Sequence, residues 1–182
     1  GSRNSFSKTD CDATFMRMKE DHMKNGQLKP AYNVQISTKD QIITNFSIHQ
    51  RPGDTATLEP HLEQFKHLYN KQSDTVVADA GYGSEQNYEY ADSEDIEAYV
   101  KYNYFHKEQK RNYKNNPFVA ANLHYNELEN YLICPMGQQM KFVGTANRKS
   151  ELGYKYQVSI YQAVNCSNCP MRGQCHKGEA NR

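Results

Sequence analysis

The sequence lacks any long apolar run. None of its apolar stretches approaches the roughly 18 residues that a membrane-spanning helix needs, and the mean hydropathy of the 182-residue chain is −0.97. No basic segment followed by an apolar one opens the chain. We therefore expect no signal peptide, no membrane association and a cytoplasmic location. Gly1-Ser2-Arg3 is typical of a vector remnant.

Two common metal-binding and phosphate-binding patterns are also missing. The seven histidines are scattered and include no HxxxH pair, which argues against a histidine-ligated metalloenzyme. Gly81 and Gly83 come nearest to a glycine-rich phosphate loop, but the third glycine of such a loop is absent. These absences direct attention to the cysteines, the carboxylates and the basic residues.

Positive and negative charges are unevenly divided along the chain. Residues 1–100 hold 10 Lys and Arg against 16 Asp and Glu, whereas residues 101–182 hold 12 against 5. The net charge of +1, too small for a strong polyelectrolyte binder, therefore joins an acidic half to a basic half. Such a division indicates either an anion-binding appendage on an acidic body or two surfaces that differ by chance.

Two adjacent segments have the period-two pattern of half-buried strands. In the first, Tyr32, Val34 and Ile36 alternate with polar residues, and in the second the pattern continues over residues 42–48. Lys39-Asp40 is suited to the turn between them. The pattern predicts an antiparallel hairpin that buries its apolar side.

A helix and a βαβ unit are predicted after the hairpin. Apolar residues three or four positions apart predict one helical face, made of Leu58, Leu62, Phe65 and Leu68. Residues 75–79 are typical of a strand buried on both faces, Ser84 caps an acidic helix, and residues 97–101 form a second strand. Together with the hairpin, this parallel βαβ unit predicts a mixed α/β sheet.

Four of the five cysteines are spaced like metal ligands. Cys166 and Cys169 form a CxxC motif, Cys175 follows after five intervening residues, and Cys134 lies further back across a predicted β excursion. Structural zinc takes four thiolate or imidazole ligands in a tetrahedron. The spacing therefore predicts a structural Zn²⁺ site in the C-terminal part of the chain.

Alternatives to a four-cysteine site stay open. His176 or His124 could replace one cysteine as a ligand. The cysteines could also be reduced and unligated, or joined in a disulfide after purification, although clustered cysteines in a reducing compartment favour metal or catalysis. Cys11 stands apart from the cluster and is interpreted as a free thiol.

Asp79 is the best candidate for a catalytic carboxylate. It ends the predicted strand of residues 75–79, and α/β sheets usually place their chemistry at the carboxyl ends of strands. A carboxylate there is a suitable ligand for Mg²⁺, which prefers oxygen donors. The alternative is an aspartate that only caps the following turn.

A basic and aromatic segment covers residues 101–116. Its candidate nucleic-acid contacts are Lys107, Lys110, Arg111 and Lys114, interleaved with tyrosines and one phenylalanine. Lysine and arginine neutralise phosphates, and tyrosines stack on exposed bases. The segment is interpreted either as a DNA-binding surface or as a solvated linker.

Five motifs in order resemble those of a known family. They are Thr9-Asp10-Cys11-Asp12-Ala13, residues 29–35 (KPAYNVQ), residues 77–84 (VADAGYGS), Cys134-Pro135-Met136-Gly137, and Cys166-x-x-Cys169-Pro170 with Arg172 and Cys175. In this order they resemble the DDE-type transposases of bacterial insertion sequences. The nearest type carries a cysteine-bearing insertion within an RNase H-like catalytic domain.

The resemblance implies a fold and a reaction. The RNase H-like fold is a mixed sheet flanked by helices, and its transposases cut DNA at the ends of the element and join the 3′ hydroxyl to target DNA. Three carboxylates hold two divalent ions, Mg²⁺ or Mn²⁺, which activate the attacking oxygen and stabilise the leaving one. By resemblance, Asp79 matches the second of these carboxylates.

The sequence also departs from the family. The Asp-Gly-Thr-like motif that carries the first aspartate is absent, and the third carboxylate, a glutamate, is expected beyond Arg182. Asp10 and Asp12 could be proposed as substitutes, and Cys11 stands where the family usually has proline. The chain is therefore predicted to be a central fragment that holds one of three carboxylates and has no strand-transfer activity alone.

The resemblance predicts four segments. These are an N-terminal segment with the vector remnant (1–30), a partial RNase H-like core (31–102), a basic-aromatic linker (103–130) and a cysteine-rich zinc-binding β subdomain (131–182). Without the family's central first strand, open strand edges are expected to rearrange or to form a homodimer. Two other functions stay open: a non-catalytic DNA-binding module, and a domesticated remnant with a protein partner.

Overall fold

The computed structural model describes residues 6–18, 20, 23–176 and 178–182. The predicted vector remnant, residues 1–3, lies outside them. The chain divides into two compact units, residues 1–110 and 111–182, and the division falls inside the segment predicted as a linker. The two units are described separately below.

The first unit begins with a strand pair that the sequence pattern did not predict. Strand β1 (Thr14–Arg17) pairs antiparallel with β2 (Leu28–Ala31), largely within the predicted N-terminal segment of residues 1–30. Pro30 lies inside β2 opposite Phe15. Proline has no N–H to donate, but a two-stranded pair consists only of edge strands, where proline is tolerated.

The predicted hairpin is confirmed. Strand β3 (Asn33–Lys39) pairs antiparallel with β4 (Ile42–His49), and Asp40 and Gln41 form the turn between them with positive φ angles of 51° and 67°. The register is interrupted between Ser37 and Thr38. The two strands carry the polar residues of the site described below.

The buried side of this hairpin is the opposite of the predicted one. Gln35, Asn45 and Ser47 are 3–7% exposed, whereas apolar side chains on the other face are 52–62% exposed. Those exposed side chains are Val34, Ile36, Ile43, Phe46 and Ile48. The polar face is buried because its amides and hydroxyls find hydrogen-bond partners in the unit.

Helix α1 (Leu58–Tyr69) covers the polar face of the hairpin. Leu58 and Leu62 are buried and Phe65 is half-buried, as predicted, but Leu68 is exposed. Burial of a leucine side chain contributes about 1.5–3 kcal/mol, so Leu58 and Leu62 anchor the helix. Asn70 ends it in the left-handed conformation that asparagine tolerates.

The predicted βαβ unit is also confirmed. Strand β5 (Thr75–Ala78) is followed in the chain by a 3₁₀ turn (Ala80–Tyr82), helix α2 (Glu85–Ser93) and strand β6 (Glu97–Val100). Strands β5 and β6 pair in parallel. The hydroxyl oxygen of Ser84 accepts a hydrogen bond of 3.2 Å from the amide of Asn87, which caps α2. A short helix, α3 (Phe105–Glu108), ends the first unit.

The core of this unit lies between the two helices and β5. Its buried members are Leu58, Leu62, Ala91 and Ile96, with Val76, Tyr82 and Tyr90 packed against them. Val77, in contrast, is 78% exposed. The prediction of a strand buried on both faces is therefore wrong for β5, because only the side of the strand that faces the helices is covered.

The hairpin and the βαβ unit do not join into one sheet. Among the described residues, β3–β4 and β5–β6 are separate two-stranded sheets. The fold is therefore mixed α/β, as predicted, but it is built of several small sheets. The expectation of one continuous mixed sheet is corrected, since the facing edges of β3 and β5 share no hydrogen-bonded ladder.

The second unit is mainly a four-stranded antiparallel sheet. After a 3₁₀ turn (Ala120–Asn122) come β7 (His124–Asn126), β8 (Tyr131–Ile133), β9 (Gln139–Lys149) and β10 (Lys155–Ala163), in the spatial order β10-β9-β8-β7. A short helix, α4 (Arg172–Cys175), follows.

The helices in the described part of the chain do not meet the requirements for a membrane span. Among the described residues, no helix has both the length and the apolar character that spanning a bilayer requires.

Candidate functional site

A groove in the first unit separates the two small sheets. It has a volume of about 990 Å³, with residues 35–39 of β3 on one wall and residues 75–79 on the other. Helix α1 forms its floor with Leu58, His61, Leu62, Phe65 and Tyr69. Both walls are strand edges that pair with no further strand among the described residues.

Asp79 lies where β5 ends, on one wall of this groove. Its Oδ1 accepts a hydrogen bond of 2.7 Å from the backbone amide of Gly81, so the carboxylate caps the 3₁₀ turn. The side chain is nevertheless exposed to solvent. The capping role and the metal-ligand role predicted for Asp79 are thus compatible, because a carboxylate has several acceptor positions.

A second carboxylate, which the sequence did not single out, lies beside Asp79. A Cβ atom placed on Gly81 would lie 2.9 Å from Oδ1 of Asp79 and 3.2 Å from Oδ2 of Asp54. The two carboxylate oxygens are therefore within about 6 Å of each other, close enough for a hydrated divalent cation to reach both. Only glycine at position 81 leaves that space open.

Amide side chains of β3 hold the Asp54 carboxylate. Oδ1 of Asp54 accepts a hydrogen bond of 2.7 Å from Nδ2 of Asn33 and a weaker one of 3.3 Å from Nε2 of Gln35. The hydroxyl of Tyr82 donates a hydrogen bond to Oε1 of Gln35. Burial raises the pKa of the Tyr82 phenol, and the charges of Asp54 and Asp79 raise it further. Tyr82 therefore remains a neutral donor at physiological pH.

A buried histidine lies in the floor of the same groove. The hydroxyl of Ser37 hydrogen-bonds Nε2 of His61, and the hydroxyl of Ser47 lies 2.7 Å from Nδ1. Ser47 also lies 2.7 Å from Nε2 of His49. Burial lowers the pKa of His61, and the charge of His49 lowers it further. The imidazole is therefore neutral and fixed by two serines.

The four predicted zinc ligands share one small cavity in the second unit. Cys134, Cys166, Cys169 and Cys175 all line a cavity of about 30 Å³, which also includes Met140 and Ala163. That volume is comparable to the space of one water molecule. No disulfide joins any of the five cysteines, all of which the structure describes, and Cys11 is exposed and lies in the other unit.

Arg182 donates hydrogen bonds to the sulfur atoms of two of these cysteines. Nη1 of Arg182 lies 3.1 Å from Sγ of Cys175, and its backbone amide lies 3.5 Å from Sγ of Cys166. In the described part of the chain, no three His, Cys, Asp or Glu side chains are arranged to hold a metal ion. The structure thus brings the cysteines to one cavity without forming a tetrahedral set.

The histidines considered as substitute ligands do not line this cavity. Nδ1 of His176 is the acceptor of a 3.4 Å hydrogen bond from the amide of Gly178, and Nε2 lies 2.6 Å from the carbonyl of Ala180. Both ring nitrogens are therefore engaged locally. His124 is part of β7.

Of the two carboxylates considered as substitutes, Asp10 has a structural role. Oδ1 of Asp10 accepts hydrogen bonds from the amides of Asp12 and Ala13, at 3.0 and 3.3 Å, and Oδ2 accepts one of 2.9 Å from the hydroxyl of Tyr32. Asp10 thus shapes the loop before β1. With no metal-holding group of three in the residues that the structure describes, Asp10 and Asp12 do not complete a triad with Asp79.

The predicted DNA contacts are all exposed but belong to different units. Lys107 and Lys110 end the first unit, and Arg111 and Lys114 begin the second. The ammonium group of Lys107 lies 5.0 Å from the ring centroid of Tyr104, in a cation–π contact. In each unit, these exposed side chains can be reached by anions from solvent.

Sequence reasoning missed the residues that surround Asp79. The alternating pattern places Asn33 and Gln35 on the solvent side of a half-buried strand, and it gives no indication of Asp54. The one signal for them was the unusual density of Asn, Gln and Ser on alternate positions of both hairpin strands. Alternation identifies two faces of a strand, but it does not identify the buried one when polar partners are present.

One comparison with known proteins gives a match. The family model described as the transposase DDE domain matches residues 4–161. This range includes the groove, Asp54, Asp79 and Cys134, whereas Cys166, Cys169 and Cys175 follow it. No curated protein and no solved structure shows a significant match.

Proposed function

The chain belongs to the transposase DDE domain family, and on this premise we propose that Asp79 is one carboxylate of the metal site at which the transposase cuts and joins DNA. The observation that carries this proposal is the position of Asp79 at the carboxyl end of a parallel strand, facing a groove and beside Asp54. Chemistry in α/β sheets concentrates at such strand ends.

The residues present suit a divalent cation. When bound, two Mg²⁺ or Mn²⁺ ions would activate the attacking oxygen and stabilise the leaving oxygen of a phosphoryl transfer. Asp79 would supply an oxygen ligand, and Asp54 is held in place by Asn33 and Gln35 to supply a second. Gly81 keeps the space between the two carboxylates free of a side chain.

We propose that the chain alone does not carry out strand transfer. By resemblance, the family's two-metal chemistry needs three carboxylates, and only Asp79 lies in a matching motif. Asp54 is a neighbour of Asp79, but it lies in a turn after β4 rather than in an Asp-Gly-Thr motif. One matched carboxylate is insufficient to hold two ions in the geometry of an in-line displacement.

The groove supports an RNase H-like arrangement that lacks its first strand. In that fold, as the resemblance implies, the first strand lies at the centre of the sheet. The walls of the groove are the open edges of β3 and β5, and helix α1 covers one side of it. A strand placed between these edges would join the two small sheets into one mixed sheet. Without it, the open edges and the exposed apolar face favour a homodimer.

We also propose that the four cysteines bind structural zinc. Their common cavity and the absence of a disulfide support this proposal, since thiolates are preferred zinc ligands. The guanidinium of Arg182, which now donates to Cys175, would have to give way to the cation. Zinc would thus take the place of Arg182 as the partner of the sulfurs of Cys166 and Cys175. Free thiols also fit the reducing cytoplasm.

DNA is the proposed partner, both at the element ends and at the target. The exposed basic residues Lys107, Lys110, Arg111 and Lys114 support this proposal. A non-catalytic DNA-binding module is the second candidate, and the same exposed residues favour it. The two candidates differ in whether Asp79 has a role.

Plasmid binding and nicking, measured together, test the proposal. With Mg²⁺ or Mn²⁺, we expect the chain to retain supercoiled DNA at low salt and to leave it uncut. Charge reversal at Lys107, Lys110 and Arg111 should weaken retention, whereas Asp79→Ala should not. Nicking that Asp79→Ala abolishes would show that the chain holds a complete site. Absence of DNA retention would remove the DNA role and favour a remnant with a protein partner.

A further inference from the structure

The strands β9 and β10 form a two-stranded ribbon beyond the rest of their sheet. Strand β8 pairs with β9 only at residues 139–141, so β9 from Phe142 onward is paired with β10 alone among the described residues. The ribbon continues to the pair Lys149 and Lys155. A hydrogen bond of 2.8 Å from the amide of Ser150 to the carbonyl of Tyr154 closes its turn.

The two faces of this ribbon differ in chemistry. Cross-strand partners share a face, and one face consists of the pairs Lys149–Lys155, Asn147–Gln157 and Thr145–Ser159, all exposed. We call this the polar face. The other face carries Ala146 opposite Val158, both half-buried, and ends at Tyr156, whose ring stacks on Tyr154 at 6.0 Å between centroids.

The charge of the ribbon is entirely positive along its strands. The strands Gln139–Lys149 and Lys155–Ala163 contain Lys141, Arg148, Lys149 and Lys155 and no acidic residue. Lys149 lies directly opposite Lys155, where two like charges destabilise a strand pair. Glu151, in the turn between the strands, is the one acidic residue of the ribbon, so residues 139–163 keep a net charge of +3. A bound polyanion would relieve the repulsion between the two lysines.

From these observations we infer that the polar face is a binding surface for duplex DNA and lies in its major groove. The major groove admits a two-stranded β-ribbon. Lys149 and Lys155 are placed to neutralise phosphates, while Asn147 and Gln157 present the amide groups that pair with adenine edges. Thr145 and Ser159 add further hydrogen-bonding groups. The inference rests on the proposed function, because it assumes DNA as the partner.

A different role for the two lysines is protection of the ribbon edges against aggregation, which charged residues on edge strands commonly provide. This role explains the lysines but not the amide and hydroxyl pairs that continue the same face. It also does not require that acidic residues be absent. The combination of side chains therefore favours a nucleic acid over solvent alone.

The test measures binding of the full chain to a mixed-sequence duplex by fluorescence anisotropy at several salt concentrations. The slope of the logarithm of the association constant against the logarithm of the salt concentration is negative. In the double variant Lys149→Ala with Lys155→Ala, this slope should become shallower by about 1.8, or about 0.9 for each lost phosphate contact. The matched control is Lys8→Ala with Lys29→Ala, which removes two exposed lysines of the first unit that do not line the groove. The control should keep the slope of the unaltered chain.

Two further measurements test whether the ribbon binds the major groove of DNA: competition with groove-specific ligands, and comparison of double-stranded with single-stranded DNA. A major-groove ligand should displace the chain from the duplex and a minor-groove ligand should not, and Asn147→Ala with Gln157→Ala should reduce affinity while the salt slope is kept. An unchanged slope for the ribbon variant, or equal loss in the control, would overturn the inference and leave DNA binding to another surface. Equal affinity for single strands would also overturn it. Failure of the unaltered chain to bind any DNA would overturn both this inference and the proposed DNA partner.

Discussion

The carboxylates of Asp54 and Asp79 converge on the space beside Gly81 that a side chain would occupy, although 24 residues separate them in the chain. A methyl group at position 81 would approach oxygen atoms of both, at 2.9 Å from Asp79 and 3.2 Å from Asp54. The loop after β4 and the end of β5 therefore meet at Gly81, where an added side chain would crowd both carboxylates.

Gly81→Ala should disturb this site. The added methyl group would push on Oδ1 of Asp79, which also caps the turn, so we expect a loss of about 1–2 kcal/mol in unfolding free energy. Chemical denaturation measures the change. Gly53→Ala is the matched control, because a Cβ there meets nothing within 4 Å, and it should cost less than about 0.5 kcal/mol. Equal effects of the two substitutions would contradict the crowding at Gly81.

The stability of the first unit should fall as the pH drops below about 6.5, the ordinary pKa of histidine. The folded state holds His61 neutral with a lowered pKa, so the unfolded state binds the proton first. The unfolding free energy should therefore be constant above that pH. It should decline below that pH until His61 also becomes protonated in the folded state. Denaturation at pH 7.5 and 5.5 measures the difference.

His61→Gln should flatten this pH dependence, and the exposed His67→Gln should leave it unchanged. His49 contributes in the same direction, because burial also lowers its pKa. An unaltered pH slope in His61→Gln would assign the effect to other groups.

Purified protein should contain about one zinc per chain, as elemental analysis can establish. Cys169→Ser should release the metal and destabilise the second unit, because small β subdomains with few apolar contacts depend on their metal. Cys11→Ser is the matched control, since Cys11 lies exposed in the first unit. Stable folding without metal, or metal loss in the control, would refute the four-cysteine site.

The chain should self-associate in a concentration-dependent way. Five apolar side chains on one face of the hairpin are more than half exposed, and both groove walls are open strand edges. Analytical ultracentrifugation should show a monomer–dimer equilibrium that Ile36→Glu shifts toward monomer without loss of helix content. Gln109→Glu, at an exposed position at the end of α3 and outside the hairpin, separates the effect of charge from that of the apolar face. A monodisperse monomer at all concentrations would exclude the homodimer.

Local signals in the sequence predicted local structure well. The spacing of Leu58 and Leu62, the Ser84 cap and the turn after Asp79 each depend on neighbouring residues, and all three are present in the structure. The burial of Gln35 and the approach of Asp54 to Asp79 depend on contacts between distant segments. Such contacts decide which face of a strand is buried, and a period-two pattern does not contain them.

The cysteine cluster shows the same division between local and long-range information. The CxxC spacing of Cys166 and Cys169 predicted a common site, and the two residues do line one cavity with Cys134 and Cys175. The contact of Arg182 with Cys175 had no sequence signal, because it depends on how the chain after α4 returns toward Cys166.

The metal-ligand role of Asp79 is tested most directly by Mn²⁺ titration of the chain, followed by nuclear magnetic resonance. Paramagnetic Mn²⁺ broadens amide signals close to it and detects weak binding. We expect broadening centred on residues 54 and 79–82, lost in Asp79→Asn and kept in Asp92→Asn, an exposed aspartate on α2. Broadening centred elsewhere, or unchanged in Asp79→Asn, would contradict the assignment of Asp79 as a ligand.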